Sequence, residues 1–237
     1  MRTKHSTNES LALLNSFSLF DCLSGDEKLY LADNIVHKEL DSKTALYHEG
    51  CALQHLMLII EGIVKQVKRG AKGKELVIRY ARSGEILGFR SVMTNELACT
   101  TSEAAGPVKA GFIKKGCLLK LVRTNTNFAY KLLQMACMEL EETQRFILNV
   151  SQKQIRERVA ATLLHLADIF QLDEDNTLKA TISRKEIASA VGTVPESVIR
   201  MLSEFKEDKL IELNGRQIRY IDIPKLKRMS YSSFYSV

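Results

Sequence analysis

The sequence predicts an α+β chain: a β-rich N-terminal half, one long helix and a C-terminal winged helix-turn-helix. Three observations predict it. Short apolar runs broken by eight glycines fill residues 40–113. Residues 128–150 contain neither Gly nor Pro. Residues 182–209 read as two short helices joined at Gly192.

Taken in order, residues 1–10 are polar, and a frayed start is expected there. Residues 11–20 and 26–36 read as short helices. Leu29, Leu31, Ala32, Ile35 and Val36 supply an apolar face to the second, and Ser24 or Asp26 a cap. Residues 56–60, 63–67, 76–80 and 108–113 read as strands, with a hairpin tip at Lys72-Gly73-Lys74. Many short strands at near-regular spacing predict an antiparallel sandwich or barrel, whose concave interior suits a small molecule. Residues 114–122 begin a helical return.

The long helix at 128–150 carries two apolar faces. Leu133, Leu140 and Ile147 fall seven apart, as do Ala136, Thr143 and Val150. Together they form an a/d seam, which predicts pairing with a second copy. Phe128, Leu132, Met135 and Phe146 form a second face suited to packing on the barrel. Residues 152–171 form a further amphipathic helix, and residues 173–176 a polar break.

Ser183 with Glu186 predicts a capping box, and Ile187, Ala188 and Val191 an apolar face. Gly192 permits the turn. Thr193 with Glu196 predicts a second box, with Pro195 in the first turn. Val198, Ile199, Leu202 and Phe205 are the expected buried stripe of the second helix. Residues 210–213 and 218–223 alternate as strands about Asn214-Gly215, which supplies the wing. The second helix of such a motif enters the DNA major groove. Its exposed Glu196, Ser197 and Arg200 are chemically suited to bases: Glu accepts from cytosine N4, and Arg forks onto guanine. Glu196 also serves a capping reading. The tail from Lys225 has no assigned role.

The net charge of +6 permits nucleic-acid binding. Residues 151–237 hold 14 Lys and Arg against 12 Asp and Glu, so the excess is not concentrated in the proposed reader. Five dispersed cysteines, Cys22, Cys51, Cys99, Cys117 and Cys137, argue against a disulfide framework and for a reducing compartment. They form no C-x-x-C pair, and the five histidines have no ligand spacing, so no metal site is expected. No nucleophile–base pair or phosphate loop is visible, so no catalytic residue is assigned and an enzyme ranks last. The start MRTKHSTNES lacks an apolar core, so no signal peptide is expected. The apolar run 56–60 is too short to span a bilayer. A cytoplasmic location is expected.

From residue 40 to 223 the sequence resembles the cyclic-AMP receptor protein and fumarate–nitrate regulator (CRP/FNR) family of bacterial transcription factors. The resemblance rests on LYHEG at 46–50, the EG of IIEGIVK at 59–65, the KGKE hairpin, SGEILGFRS at 83–91, RERVAATLLHLA at 156–167 and ISRKEIASAVGTVPESVIRML at 182–202. It implies a β-roll sensor (a jelly roll like cyclic-nucleotide-binding domains) at residues 1–125, a dimerisation helix at 126–152 and a winged DNA-binding domain at 153–237. It implies a homodimer on a pseudo-palindromic DNA duplex, with RNA polymerase as a further partner and no membrane association.

The resemblance places base readers at Glu196 and Arg200 and phosphate contacts at Ser183, Arg184 and Ser197; Ser197 is a candidate base contact as well, and Lys185 and Thr193 are further candidate phosphate contacts. Relatives often carry Arg just before the Glu, or Ser just before the second Arg; here Pro195 and Ile199 stand there. The effector pocket maps to Gly88, Phe89, Arg90, Ser91, Cys99, Thr100 and Thr143. Cyclic-AMP binders hold the ribose with Glu where Phe89 stands, and the phosphate with Arg-Ser where Cys99-Thr100 stands. Phe accepts no ribose hydroxyl and Cys-Thr brings no cation, which argues against cyclic AMP. Arg90 offers a displaced cation, or is simply solvated. The sequence names no cofactor. A second reading is a small-molecule-sensing module whose winged domain contacts a protein.

Overall fold

The computed structural model describes residues 7–70 and 73–231. Two compact units hold them: Met1–Lys68 with Arg79–Glu141, and Arg69–Ile78 with Glu142–Val237.

The first unit begins with α1 (Thr7–Asn15), a 3-10 turn (Ser18–Phe20) and α2 (Gly25–Ala32). The expected frayed start therefore gives way to helix at Thr7; residues 1–6 lie outside the described residues. The expected helix at 11–20 is in fact α1 and the 3-10 turn. Ser24 caps α2 through a box with Glu27, whose Oε2 accepts from Ser24 N at 2.9 Å.

α2 stops three residues short of Ile35, contrary to the expected helix at 26–36. Asn34 donates through Nδ2 to Tyr30 O at 2.9 Å and ends the helix. Ile35 and Val36 instead open β1 (Ile35–Leu40), paired with Ile113 and Phe112. β-branched residues have only a weak helical preference, and a sheet partner overrides it. Leu29, expected inside, is exposed.

The strands β2 (Ala45–Tyr47), β3 (His55–Glu61), β4 (Ile63–Arg69), β5 (Glu75–Arg82), β6 (Ile86–Leu87), β7 (Thr101–Ala104) and β8 (Val108–Lys114) complete a β-roll. The sheets run β1-β8-β3-β6 and β2-β7-β4-β5. Lys72 of the expected hairpin tip lies outside the described residues. One apolar core draws on both sheets: Leu56, Leu58 and Phe112 from the first, Tyr47, Val64 and Ala104 from the second. Short α3 (Phe89–Thr94) interrupts the strands. Gly88 starts it at φ +81, where a Cβ would lie 3.0 Å from Leu53 Cδ1.

α4 (Lys115–Thr124) leads into α5 (Thr126–Gln152). Phe128 and Leu132 of α5 are buried in the β-roll core, with Met135 and Ala136 packed against it. Ala136, expected in the seam, thus shares the barrel side with Phe128, Leu132 and Met135.

The second unit contains α6 (Ile155–Phe170), α7 (Arg184–Val191), α8 (Pro195–Glu207), β9 (Ile211–Asn214), β10 (Gln217–Tyr220) and α9 (Ile223–Tyr231). The wing hairpin pairs Asn214 with Gln217, leaving Gly215 and Arg216 as its two-residue turn. The second wing strand ends at Tyr220, not at 223 as expected. Asp222 Oδ1 accepts from Lys225 N at 2.8 Å and turns the chain into α9, whose Leu226 is fully buried. Part of the unassigned tail is therefore a core helix packed on α6; residues 232–237 lie outside the described residues.

Tyr220 locks the wing to α6. Its buried hydroxyl donates to Leu163 O at 2.7 Å, and burial pushes the phenol pKa up. Tyr220→Phe will lower stability by about 1 kcal/mol in urea titration. An unfolded tyrosine ionises near pH 10, whereas the buried one keeps its proton. Wild-type stability therefore falls above about pH 10, and the variant will lose that part of the dependence.

Candidate nucleic-acid interface

The local chemistry of residues 183–200 decides what α7 and α8 present. Ser183 Oγ accepts from Glu186 N at 3.2 Å, and Glu186 Oε2 accepts from Ser183 N at 2.8 Å. The first expected capping box forms. Gly192 then adopts φ +74, a left-handed cap that a Cβ would strain, and the chain reverses.

The second expected box does not form. Val194, in extended conformation, is the N-cap of α8, and no side chain caps it. Pro195 at the first helical position fixes this register. Thr193 is one residue too early to serve as the N-cap, and its N–H donates to Ala188 O at 3.0 Å. Glu196 is exposed in the first turn, where a carboxylate suits the helix dipole.

The buried stripe of α8 is Val198, Met201, Leu202 and Phe205. Ile199, expected inside, is 51% exposed. Positions 198, 201, 202 and 205 share one helical face, and 199 lies about 100° around from 198. Each buried side chain contributes roughly 1.5–3 kcal/mol. Arg156 of α6 holds the far end of α8: Nη1 donates to Glu204 at 2.6 Å, Nη2 bonds Asp208, and the guanidinium lies 5.1 Å from the Phe205 ring centroid. Glu196, Ile199, Arg200 and Ser203 are left on the opposite face, with Ser197 half-buried at its side.

Of the residues mapped to phosphate, Lys185 is exposed, and Ser183 and Thr193 are half-buried. Arg184 Nη2 donates to Gly215 O at 2.9 Å, joining α7 to the wing turn, while Nη1 is buried without a hydrogen bond. Burial pushes the guanidinium pKa down from the ordinary arginine value. The sequence reading missed Arg216, an exposed cation in the wing turn. Its signal was a charged residue directly after Asn214-Gly215.

The residues mapped to the effector pocket differ in burial. Phe89 and Ser91 are buried, with Ser91 Oγ donating to Leu97 O at 3.5 Å. Arg90 and Cys99 are exposed. Thr100 is buried and its Oγ1 accepts from Gln66 Nε2 at 3.4 Å. Thr143 is exposed on α5, in the second unit.

A neutral polar row, unseen in the sequence, crosses the second sheet of the β-roll. Ser102 is the register partner of both Tyr47 and Gln66. Gln66 Nε2 donates to Tyr47 Oη at 2.7 Å, and the fully buried Ser102 Oγ has no hydrogen-bond partner. A separate cleft of about 290 Å³ lies beside α1, lined by residues including His37, Lys38, Glu39 and Lys109. Its groups are satisfied locally: Ser10 Oγ and His37 Nε2 are 2.9 Å apart, and Lys109 pairs with Glu61 at 2.9 Å.

The α5 seam stands open in the single chain. Leu133, Leu140 and Ile147 are each 59% exposed, and Val150 and Thr143 are exposed beside them. Ala136 is half-buried. Among the described residues no group of three His, Cys, Asp or Glu could hold a metal. No described helix is long and apolar enough to cross a membrane.

Two family models match the chain in sequence order. The cyclic nucleotide-binding domain matches residues 37–125, and the Crp-like helix-turn-helix domain matches residues 157–229. The cAMP-activated global transcriptional regulator CRP of Pasteurella multocida is 26% identical over 191 residues, covering 80% of this chain and 91% of that protein. The crystal structure of a putative transcriptional regulator of the CRP/FNR family from Eubacterium rectale aligns with a TM-score of 0.79 at 20% identity, covering 91% of this chain and 99% of the other. The c-di-GMP responsive global regulator CLP of Xanthomonas campestris aligns with a TM-score of 0.73 at 19% identity, covering 83% and 99%. The β-roll, the long helix and the winged motif occur in the order these models and relatives share, and the chain belongs to the CRP/FNR family of transcriptional regulators.

Proposed function

We propose that this DNA-binding regulator acts in the cytoplasm as a homodimer on a pseudo-palindromic operator, under an effector other than cyclic AMP. The carrying observation is the outer face of α8: Glu196 and Arg200 are exposed four residues apart, above a fully packed stripe. Spacing of four puts both on one face, where a carboxylate and a guanidinium read C and G. Ser197 joins them at the edge. Lys185, Ser183 and Thr193 position the reader on phosphate, and Arg184 and Arg216 do so beside the wing. A phosphate near Arg184 would offset the burial of its charge.

The open seam of α5 supports pairing, since exposed leucines and isoleucine at seven-residue spacing bury best against a second copy. Paired protomers would set two α8 helices about one helical turn of DNA apart. Residues 1–125 form the sensor, 126–152 the pairing helix and 153–237 the reader in this proposal. RNA polymerase is the proposed partner of the bound dimer.

The sensor carries neither the acidic ribose contact nor the cation expected of a cyclic-AMP site. Phe89 stands in the apolar core, and the Tyr47–Ser102–Gln66 row is uncharged. The P. multocida relative is cAMP-activated and the X. campestris neighbour c-di-GMP responsive, so the fold serves more than one effector.

Selection of duplexes from a random pool tests the reading. It will enrich a two-fold symmetric site, bound in mobility shift with an affinity that falls steeply as salt rises. Enrichment of no sequence, with no salt-dependent duplex binding, would favour a winged domain that contacts protein.

A further inference from the structure

We infer that Ile199 is itself a base-reading residue, contacting the C5-methyl group of a thymine in each half-site. This rests on the reading that α8 enters the major groove. Glu196, Ile199, Arg200 and Ser203 follow the spacing i, i+3, i+4, i+7, so one outer face holds them all. That face is polar apart from Ile199, which is 51% exposed. Ser203 does not project a free donor there, because its Oγ donates back to Ile199 O at 3.1 Å.

A large β-branched side chain on this half-exposed site gains little from the fold. It has lower helix propensity than the straight-chain residues and leaves about half of its surface in water. Its position is chemically informative. It stands beside Arg200 and one turn from Glu196, the two groups suited to guanine and cytosine edges. Of the groups a major groove presents, the thymine methyl is the apolar one. Ile199 has a stiff χ1, so little side-chain freedom is lost on contact. The chain therefore reads an A·T pair by apolar contact next to the pairs read by hydrogen bonds.

The test uses the full chain and a duplex selected by it from a random pool. Each thymine of the half-site is replaced in turn by deoxyuridine, which removes only the methyl group. At one thymine per half-site, replacement will weaken wild-type binding about fourfold, or about fifteenfold when both half-sites are changed. Ile199→Ala will bind the thymine and deoxyuridine duplexes equally, with an unchanged melting midpoint. Arg200→Ala will keep the thymine preference while losing preference at its own base pair. The inference is overturned if wild type shows no such thymine, or if Ile199→Ala retains the same preference. A wild-type chain that selects no sequence at all would instead remove the underlying reading.

Discussion

Leu140→Glu will convert a two-chain species into single chains and abolish specific operator binding. Leu140 is the middle of three large apolar residues, each 59% exposed, spaced seven apart on α5. In a paired coil both copies of Leu140 leave water, each worth roughly 1.5–3 kcal/mol. The substitution removes both and adds two facing carboxylates. A loss of about 4 kcal/mol or more, a thousandfold in the dimer dissociation constant, follows. Sedimentation velocity will report the mass change. Melting of the isolated chain will change little, because the side chain makes no core contact. Operator binding falls with pairing, since one protomer reads one half-site. A variant that sediments like wild type would place the pairing surface elsewhere.

Arg200→Ala will weaken binding to the selected operator by roughly 2–6 kcal/mol over two half-sites, and flatten the preference at one base pair in each. Glu196→Ala will act similarly at a different pair. Both side chains are exposed, so the unfolding free energy will move by no more than about 0.5 kcal/mol. Binding to random duplex will barely change. Lys185→Ala is the useful contrast: it will weaken all sequences alike and reduce the salt slope by about one per protomer. If Arg200→Ala instead weakens every duplex equally, Arg200 touches phosphate.

Some of this was legible because its causes are local. The box at Ser183 and Glu186, the turn at Gly192 and the entry at Pro195 each depend on a few consecutive residues. Local signals also misled by a single position. Thr193 has the right chemistry for an N-cap, but Pro195 selects Val194. Ile199 has the right chemistry for a core, but Met201 has the right angle. In the β-roll, the resemblance located Phe89 and Cys99-Thr100 as departures. It did not locate Tyr47, Gln66 and Ser102, which only sheet pairing makes neighbours.

By itself the sequence determined the order of parts, the capping box and glycine turn of the helix-turn-helix, and the seven-residue apolar repeat of α5. Capping and helical period act within a few residues, so they can be read along the chain. The tertiary structure alone decided that Ile35 and Val36 join a sheet, that Ala136 turns partly toward the core, and that Arg184 bonds the wing. Those outcomes depend on partners tens of residues away, such as Ile113 for Ile35 and Gly215 for Arg184. The free energy of burial and pairing with such partners exceeds any local preference.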